Sequence, residues 1–189
     1  RGASMNNAVL LPLLLFAVFL IANSFVTIAQ GTIGVVTIFG KYRRTMLPGL
    51  NLKIPFIEQI YQRVSIQNQS IELQFQAITA DQANVNFTAM LLYSVISPDE
   101  EVVKNVAFKF IDRKNFMQAL TRTVEGSVRS FVATKKQSEI LLLRREIVDS
   151  VKEQLDSSLE TWGYHLIDLQ MNDITFDEEI IRSMAQVVA

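Results

Sequence analysis

A single histidine, His165, and the absence of any cysteine limit the side-chain chemistry open to this 189-residue chain. One imidazole makes neither the usual multi-histidine metal site nor a histidine acid–base pair. Without thiols there is no disulfide, no thiolate zinc site and no cysteine nucleophile. His165 follows Gly163-Tyr164 where a strand is expected to begin, so it reads as a surface or edge residue; a catalytic base is the alternative. Asp99-Glu100-Glu101 puts three carboxylates in a row. They fit a helix N-terminus, where acids complement the dipole, better than a metal site. Gly31, Gly34 and Gly40 space out a strand and make no phosphate-cradling loop. Asn68-Gln69-Ser70 and Asn86-Phe87-Thr88 match the glycosylation triplet, but both fall in or near predicted strands. These residues assign no catalytic group, no cofactor and no metal, and the expectation is a protein that is not an enzyme.

The elements that would position any site begin with a long charge-free segment. Gly2 to Gly40 contains no charged residue, and Ala8 to Ala29 is almost wholly apolar. As a helix, that run would be about 33 Å long at 1.5 Å per residue, which matches a hydrocarbon core of roughly 30 Å. Leu10, Leu14, Phe16, Phe19, Ile21 and Phe25 are the expected lipid-facing anchor residues. Pro12 suits the first turn, where a missing N–H costs little. A cleaved signal peptide is the competing reading, and Thr27-Ile28-Ala29 imitates a cleavage site. Met5-Asn6-Asn7 lacks the basic n-region such a peptide needs, so an uncleaved anchor is favoured. Arg1 to Ser4 read as a cloning remnant. Beyond Lys41 both charge signs are interspersed and the chain's net charge is only −1. No basic block interleaved with aromatics points to nucleic acid.

After the anchor the hydrophobic period changes twice. Thr32 to Phe39 is β-branched and aromatic between glycines, a buried strand. Leu47-Pro48-Gly49-Leu50 is a turn, and Asn51 to Phe56 a short extended piece stopped by Pro55. Ile71, Leu73 and Phe75 alternate with polar residues, as do Val85, Phe87, Ala89, Leu91, Tyr93 and Val95, with a turn at Asp81–Asn84 between them. That is a β-hairpin with one face on a core. Ser97-Pro98-Asp99-Glu100 has capping-box spacing with Pro at the first helical position, predicting a helix to about Phe108. Asp112 opens a second helix carrying Phe116, Leu120, Val124, Val128 and Phe131. A third is expected from about Glu139 to Trp162, stopped by Gly163. Tyr164 to Asn172 reads as a strand with Ile167, Leu169 and Met171 on one face. Asp177 caps a last helix striped by Ile180, Ile181, Met184, Val187 and Val188. Strands, then helices, then a strand predict an α+β fold.

Several ordered motifs carry a resemblance. Gln30-Gly31, Gly34-Val35-Val36, Phe39-Gly40-Lys41-Tyr42, Leu47-Pro48-Gly49-Leu50 and Ile54-Pro55-Phe56-Ile57 together resemble the opening of the stomatin/prohibitin/flotillin (SPFH, band 7) domain. Ile78-Thr79-Ala80-Asp81, Ala83-Asn84-Val85 and Trp162-Gly163 resemble later pieces of the same family in the same order, with the stomatin-like branch most similar. Coverage runs from Gln30 to Ala189. The resemblance implies an SPFH fold, α+β with a mixed or antiparallel sheet and packed helices, behind one transmembrane helix. The resulting division is an anchor over 5–29, a β-rich first half over 30–96, an α/β second half over 97–176 and the start of an oligomerisation helix over 177–189. Ala29 stands where many stomatin-like members carry proline, so the exit from the membrane is expected to be less sharply kinked.

The resemblance implies an oligomeric membrane scaffold whose partners are itself and membrane lipid. A regulatory subunit of a membrane protease or channel is the alternative, and a membrane-tethered enzyme is the rival of another class. Anchoring each copy in two dimensions raises effective concentration, so weak lateral contacts add up. Leu50, Ile54 and Phe56, flanked by Lys41, Arg43, Arg44 and Lys53, suit the headgroup region, with cations near anionic lipid. Alternatively Ile54, Phe56 and Ile57 pack beneath the sheet. Ile180, Met184, Val187 and Val188 are expected to meet neighbouring copies on a helix that runs on past Ala189. Docking on their own domain is the other reading. Lys41, Arg43 and Arg44 place the soluble domain on the cytoplasmic face by the positive-inside rule.

Overall fold

The first part of the charge-free run folds as one helix, α1 (Gly2–Ser24), in a computed structural model that describes residues 2–177. The helix stops five residues short of the expected Ala29. The Asn23 amide donates to the Phe19 carbonyl at 2.9 Å and the Ser24 hydroxyl to the Leu20 carbonyl at 2.6 Å. These i−4 back-bonds offer the last turn an alternative to the helical ladder, as Asn and Ser do near helix ends. The β-branched and aromatic run that follows becomes a strand, β1 (Phe25–Ile28).

Two units divide the chain. The first holds the residues up to Ile66 together with Pro98–Ala107. In it β1 pairs antiparallel with β4 (Gly49–Leu52), and β2 (Thr32–Ile38) lies between β3 (Lys41–Met46) and β5 (Glu58–Ser65). Strands β1, β3 and β5 are not predicted from the pattern. Lys41-Tyr42-Arg43-Arg44 hides its alternation behind charge, and β5 buries only Glu58 and Val64 fully. Ile28, Val36 and Met46 form a small core with Val26 and Ile60 beside it. Gly34 lies where the strands close on one another: a Cβ there would lie 2.8 Å from Ile28 Cδ1 and push the end of that side chain aside. Helix α2 (Glu100–Lys109) begins two residues later than expected. Pro98 lies outside it, and the Asp99 carbonyl accepts from Val103 N–H at 3.0 Å.

The second unit comprises Gln67–Ser97 and the residues from Phe108 onward. Here β6 (Gln69–Ile78) and β7 (Asn84–Val95) form the expected hairpin, and β8 (Tyr164–Phe176) pairs with β7 on its other side, antiparallel throughout. One face of this sheet packs on α3 (Arg113–Val132) and α5 (Arg144–Thr161). Phe116, Leu120, Val124 and Val128 of α3 and Ile147, Val151, Leu155 and Leu159 of α5 are buried against Leu73, Phe75, Phe87, Leu91 and Leu169. Each such side chain contributes about 1.5–3 kcal/mol. The Ser127 hydroxyl donates to Gln154 and ties the two helices. This packing puts the hairpin with the later helices, so the chain passes from one unit to the other at Ile66/Gln67, at Ser97/Pro98 and at Ala107/Phe108.

Two expectations need correction in this unit. The third helix is broken into α4 (Gln137–Ile140) and α5, because the Leu143 N–H is shared between the carbonyls of Glu139 and Ile140 and the turn tightens. In β8 the register slips twice. Leu92 opposes Asp168 while Tyr93 opposes Leu166, and Thr88 opposes Asp173 while Ala89 opposes Met171. Ile167 and Asn172 are therefore bulge residues, and the inward set is Tyr164, Leu166, Leu169, Met171, Ile174 and Phe176. Ile167 is exposed instead of sharing a face with Leu169 and Met171. At the other end of the core, Asp112 caps α3 through Asn115 N–H at 2.8 Å, and Gly163 takes the left-handed turn at φ 92°, both as expected.

Candidate membrane-facing site

α1 is long and apolar enough over Asn6–Ser24 to cross a membrane, and none of that stretch is buried by the protein. Leu10, Leu14, Phe16, Phe19 and Ile21 are exposed on it, whereas Phe25 lies on β1, opposite Leu52. The end of α1 is fastened to the segment after β4. The Lys53 N–H donates to the Ser24 carbonyl at 2.7 Å, and the Phe56 ring stacks on Phe19 with centroids 6.0 Å apart. Phe19 stands five residues before the helix end, about 7 Å along the axis. Phe56 therefore reaches back alongside the apolar helix, past its end.

The loop that carries Phe56 is built on one buried carboxylate. Glu58 is only 4% exposed and accepts from Arg44 Nε at 3.0 Å, Arg44 Nη2 at 3.2 Å and the Ile54 N–H at 2.8 Å. Its own N–H donates to the Ile54 carbonyl at 3.0 Å, and Arg44 Nη2 also donates to the Leu52 carbonyl at 2.6 Å. The hydrogen bond from Arg44 is the largest influence holding the Glu58 carboxyl below its ordinary range; burial opposes it and the Ile54 N–H assists. Within this frame Phe56 adopts φ 67°, a left-handed conformation that costs a bulky residue on the order of 1 kcal/mol or more.

Exposure decides where the apolar residues of the loop go. Ile54, Phe56 and Ile57 are exposed, Phe56 by 68%, and so are Leu50 and Leu52; they do not pack beneath the sheet. Leu50 opposes Thr27 and Leu52 opposes Phe25, so Leu50 sits about 7 Å farther along the strand from the helix than Leu52 does. Lys41 and Arg43 are exposed on β3, Lys53 is half-buried, and the Arg44 guanidinium is engaged by Glu58 and Leu52. Tyr42 donates from its hydroxyl to Glu100, and Lys104 Nζ lies 4.6 Å from its ring centre, which ties β3 to the first turn of α2. Ile180, Met184, Val187 and Val188 lie outside the described residues.

Phe39 belongs to this region although the sequence pattern marks it only as the end of a strand. Ile38 opposes Lys41, so Phe39-Gly40 is a two-residue hairpin loop with φ 51° and 80°. Phe39 is 88% exposed at its tip. Ile38 also opposes Glu58, which places this tip at the same end of the sheet as the Lys53–Ile57 loop. His165 is exposed on β8 opposite Ser94, and Asp99-Glu100-Glu101 lead into α2. Among the described residues no three His, Asp or Glu side chains are grouped to hold a metal.

A long apolar helix joined to a small β-unit with apolar loops beside the helix end, followed by a sheet-on-helices unit, defines a membrane-associated α+β domain. The chain belongs to the SPFH domain / Band 7 family, whose model matches residues 26–189. It is similar to an uncharacterised protein of Methanothermobacter thermautotrophicus, 29% identical over 81% of this chain and 46% of that protein. It is also similar to Stomatin-3 of Caenorhabditis elegans, 28% identical over 73% of this chain and 49% of that protein. Human Stomatin-like protein 3 is 27% identical over 73% of this chain and 45% of its own length. The chain thus spans about half the length of these curated relatives, none of which carries the name of an enzyme.

Proposed function

We propose that this chain is a membrane-anchored, non-enzymatic scaffold subunit that homo-oligomerises into large assemblies organising a membrane microdomain or its resident proteins. The observation that carries this reading is the Phe56 ring stacked on Phe19 of an uncharged helix long enough to span a bilayer. It supports a domain seated directly on the membrane, with Leu52, Ile54 and Phe56 in the interface and Lys41, Arg43 and Lys53 near anionic headgroups. Those cations favour the cytoplasmic face. Anchored copies in one plane are concentrated for lateral assembly. Ile180, Met184, Val187 and Val188 are proposed to contribute to that assembly, and lipid and further copies of this chain are the proposed partners.

Light scattering on the full-length protein in mild detergent tests the reading. A large homo-oligomer is expected, and replacing Met184 with Asp should shrink it; a monomeric parent protein overturns the scaffold. A regulatory subunit of a membrane protease or channel is the alternative reading that the family permits. Co-purification from native membranes would identify such a client.

A further inference from the structure

We propose that Phe39 is a second lipid-inserting prong, so that the domain meets the bilayer at two aromatic points, Phe39 and Phe56, on either side of the Ile38–Glu58 pairing. The inference rests on the membrane-surface reading above and extends it to a hairpin tip that nothing in the strand pattern assigns.

Among the described residues only Phe39, Phe56 and Gln82 are non-glycine residues in left-handed backbone. Gln82 is a polar residue in the polar Asp81–Asn84 turn, where that conformation is ordinary. The other two are phenylalanines, both exposed, at one end of the β3-β2-β5 sheet. Two-residue hairpin loops with positive φ at both positions favour Asn, Asp or Gly at the first. A phenylalanine there gains nothing from the turn geometry, and being 88% exposed it gains little from the protein's core. An apolar solvent at that spot would repay both costs.

The position of the bilayer follows from the chain itself. β2 ends at Ile38 opposite Glu58, the residue that immediately follows the Lys53–Ile57 loop. That loop is bonded to the end of α1 through Lys53 N–H and Ser24 and stacked on α1 through Phe56. The Phe39 tip therefore stands at the end of the sheet that carries the loop joined to the spanning helix. Lys41, exposed two residues beyond it, supplies a cation of the kind that sits among anionic headgroups while its neighbour enters the apolar layer. Arg44 and Glu58 lock the Phe56 loop from inside the sheet, and the Ile38–Lys41 and Ile38–Glu58 pairings hold the base of the Phe39 tip.

The chain's lack of cysteine makes the test direct. The full chain is reconstituted in vesicles of phosphatidylcholine and phosphatidylglycerol with a nitroxide on Phe39→Cys, Phe56→Cys or Arg63→Cys. Collision with oxygen and with a water-soluble nickel chelate is then measured for each. Arg63 is exposed and opposes Gly34, about 16 Å along β5 from Glu58, and serves as the site far from the proposed interface. The expected result is an oxygen-to-nickel accessibility ratio at 39 several-fold above that at 63 and similar to that at 56. High accessibility to both at 39 means water. Low accessibility to both means cover by a second copy of the chain. Either outcome overturns the second prong while a lipid signal at 56 leaves the first reading standing. A water-like signal at 56 as well brings down the membrane-surface reading beneath it. Should cysteine at 39 disturb the hairpin, Phe39→Trp gives the same decision through quenching by brominated lipid in excess of that seen for Trp162 in the parent.

Discussion

Arg44 and Glu58 stand on the two strands that flank β2 and meet across it, with Nε to Oε2 at 3.0 Å and Nη2 to Oε1 at 3.2 Å. Arginine holds a carboxylate with two nitrogens in a way lysine does not. Replacing Glu58 with Gln leaves Arg44 without its counter-charge and should cost about 2–3 kcal/mol. The Glu58 carboxyl titrates below its unfolded value, so its stabilisation is complete above the ordinary glutamate range near pH 4.5 and is lost as pH falls below it. A melting series across that range should show the parent losing stability on acidification and Glu58→Gln losing less.

Gly34 and Ile28 are coupled by a gap too small for a methyl group. A Cβ at 34 would meet Ile28 Cδ1 at 2.8 Å and Met46 Cβ at 3.4 Å. Gly34→Ala should therefore cost about 1–2 kcal/mol through overpacking. In an Ile28→Val background, which removes Cδ1, the same change should be nearly free. Additive losses in the double-mutant cycle would show that the clash is relieved elsewhere.

The hairpin turn of the second unit depends on Thr79, which is buried. Its hydroxyl accepts the Ala83 N–H at 2.9 Å and donates to Asp81, and Asp81 in turn accepts the Gln137 N–H at 3.1 Å at the start of α4. Thr79→Val keeps the shape and strands the Ala83 N–H, a loss of about 1–2 kcal/mol. Amide exchange at Ala83 should accelerate in that variant more than exchange at Leu91, in the middle of β7.

Phe39→Asn should raise the stability of the detergent-solubilised protein by about 1 kcal/mol, because asparagine accepts left-handed backbone and fits a two-residue hairpin loop. A fall in melting temperature would mean that the exposed ring makes a stabilising contact with the protein or with the detergent that surrounds α1.

The double bulge in β8 makes opposite forecasts for neighbouring apolar residues. Leu169→Asp buries a charge in the sheet-on-helix core and should cost several kcal/mol, enough to unfold the unit. Ile167→Asp places its carboxylate in water and should change stability by less than about 1 kcal/mol. Circular dichroism melts of the two variants decide it; equal losses would restore a regular strand.

Much of the second unit is legible in the sequence because its contacts repeat a local period. Alternation finds β6 and β7, the spacing from Phe116 to Val128 finds α3, and Asp112 and Gly163 mark helix ends through their own backbone preferences. Ile167 is misplaced because a bulge is a mismatch between two strands, and its own strand carries no sign of it. The first unit is less legible. Arg43 and Arg44 look alike in sequence, yet one is exposed and the other is engaged by a carboxylate that the sequence marks only as an isolated acid after Pro55.

By itself the sequence determined the charge-free helix, the hairpin, the amphipathic helices and membership of the SPFH domain / Band 7 family, because each rests on composition, on local periods or on motifs read in order along the chain. Only the tertiary structure decided that α1 yields to a strand at Phe25, that Arg44 serves Glu58, and that Phe39 and Phe56 share one end of a sheet. Those outcomes depend on which strands pair and in what register. Register is settled by the joint packing of residues far apart in the chain, and no local pattern encodes it.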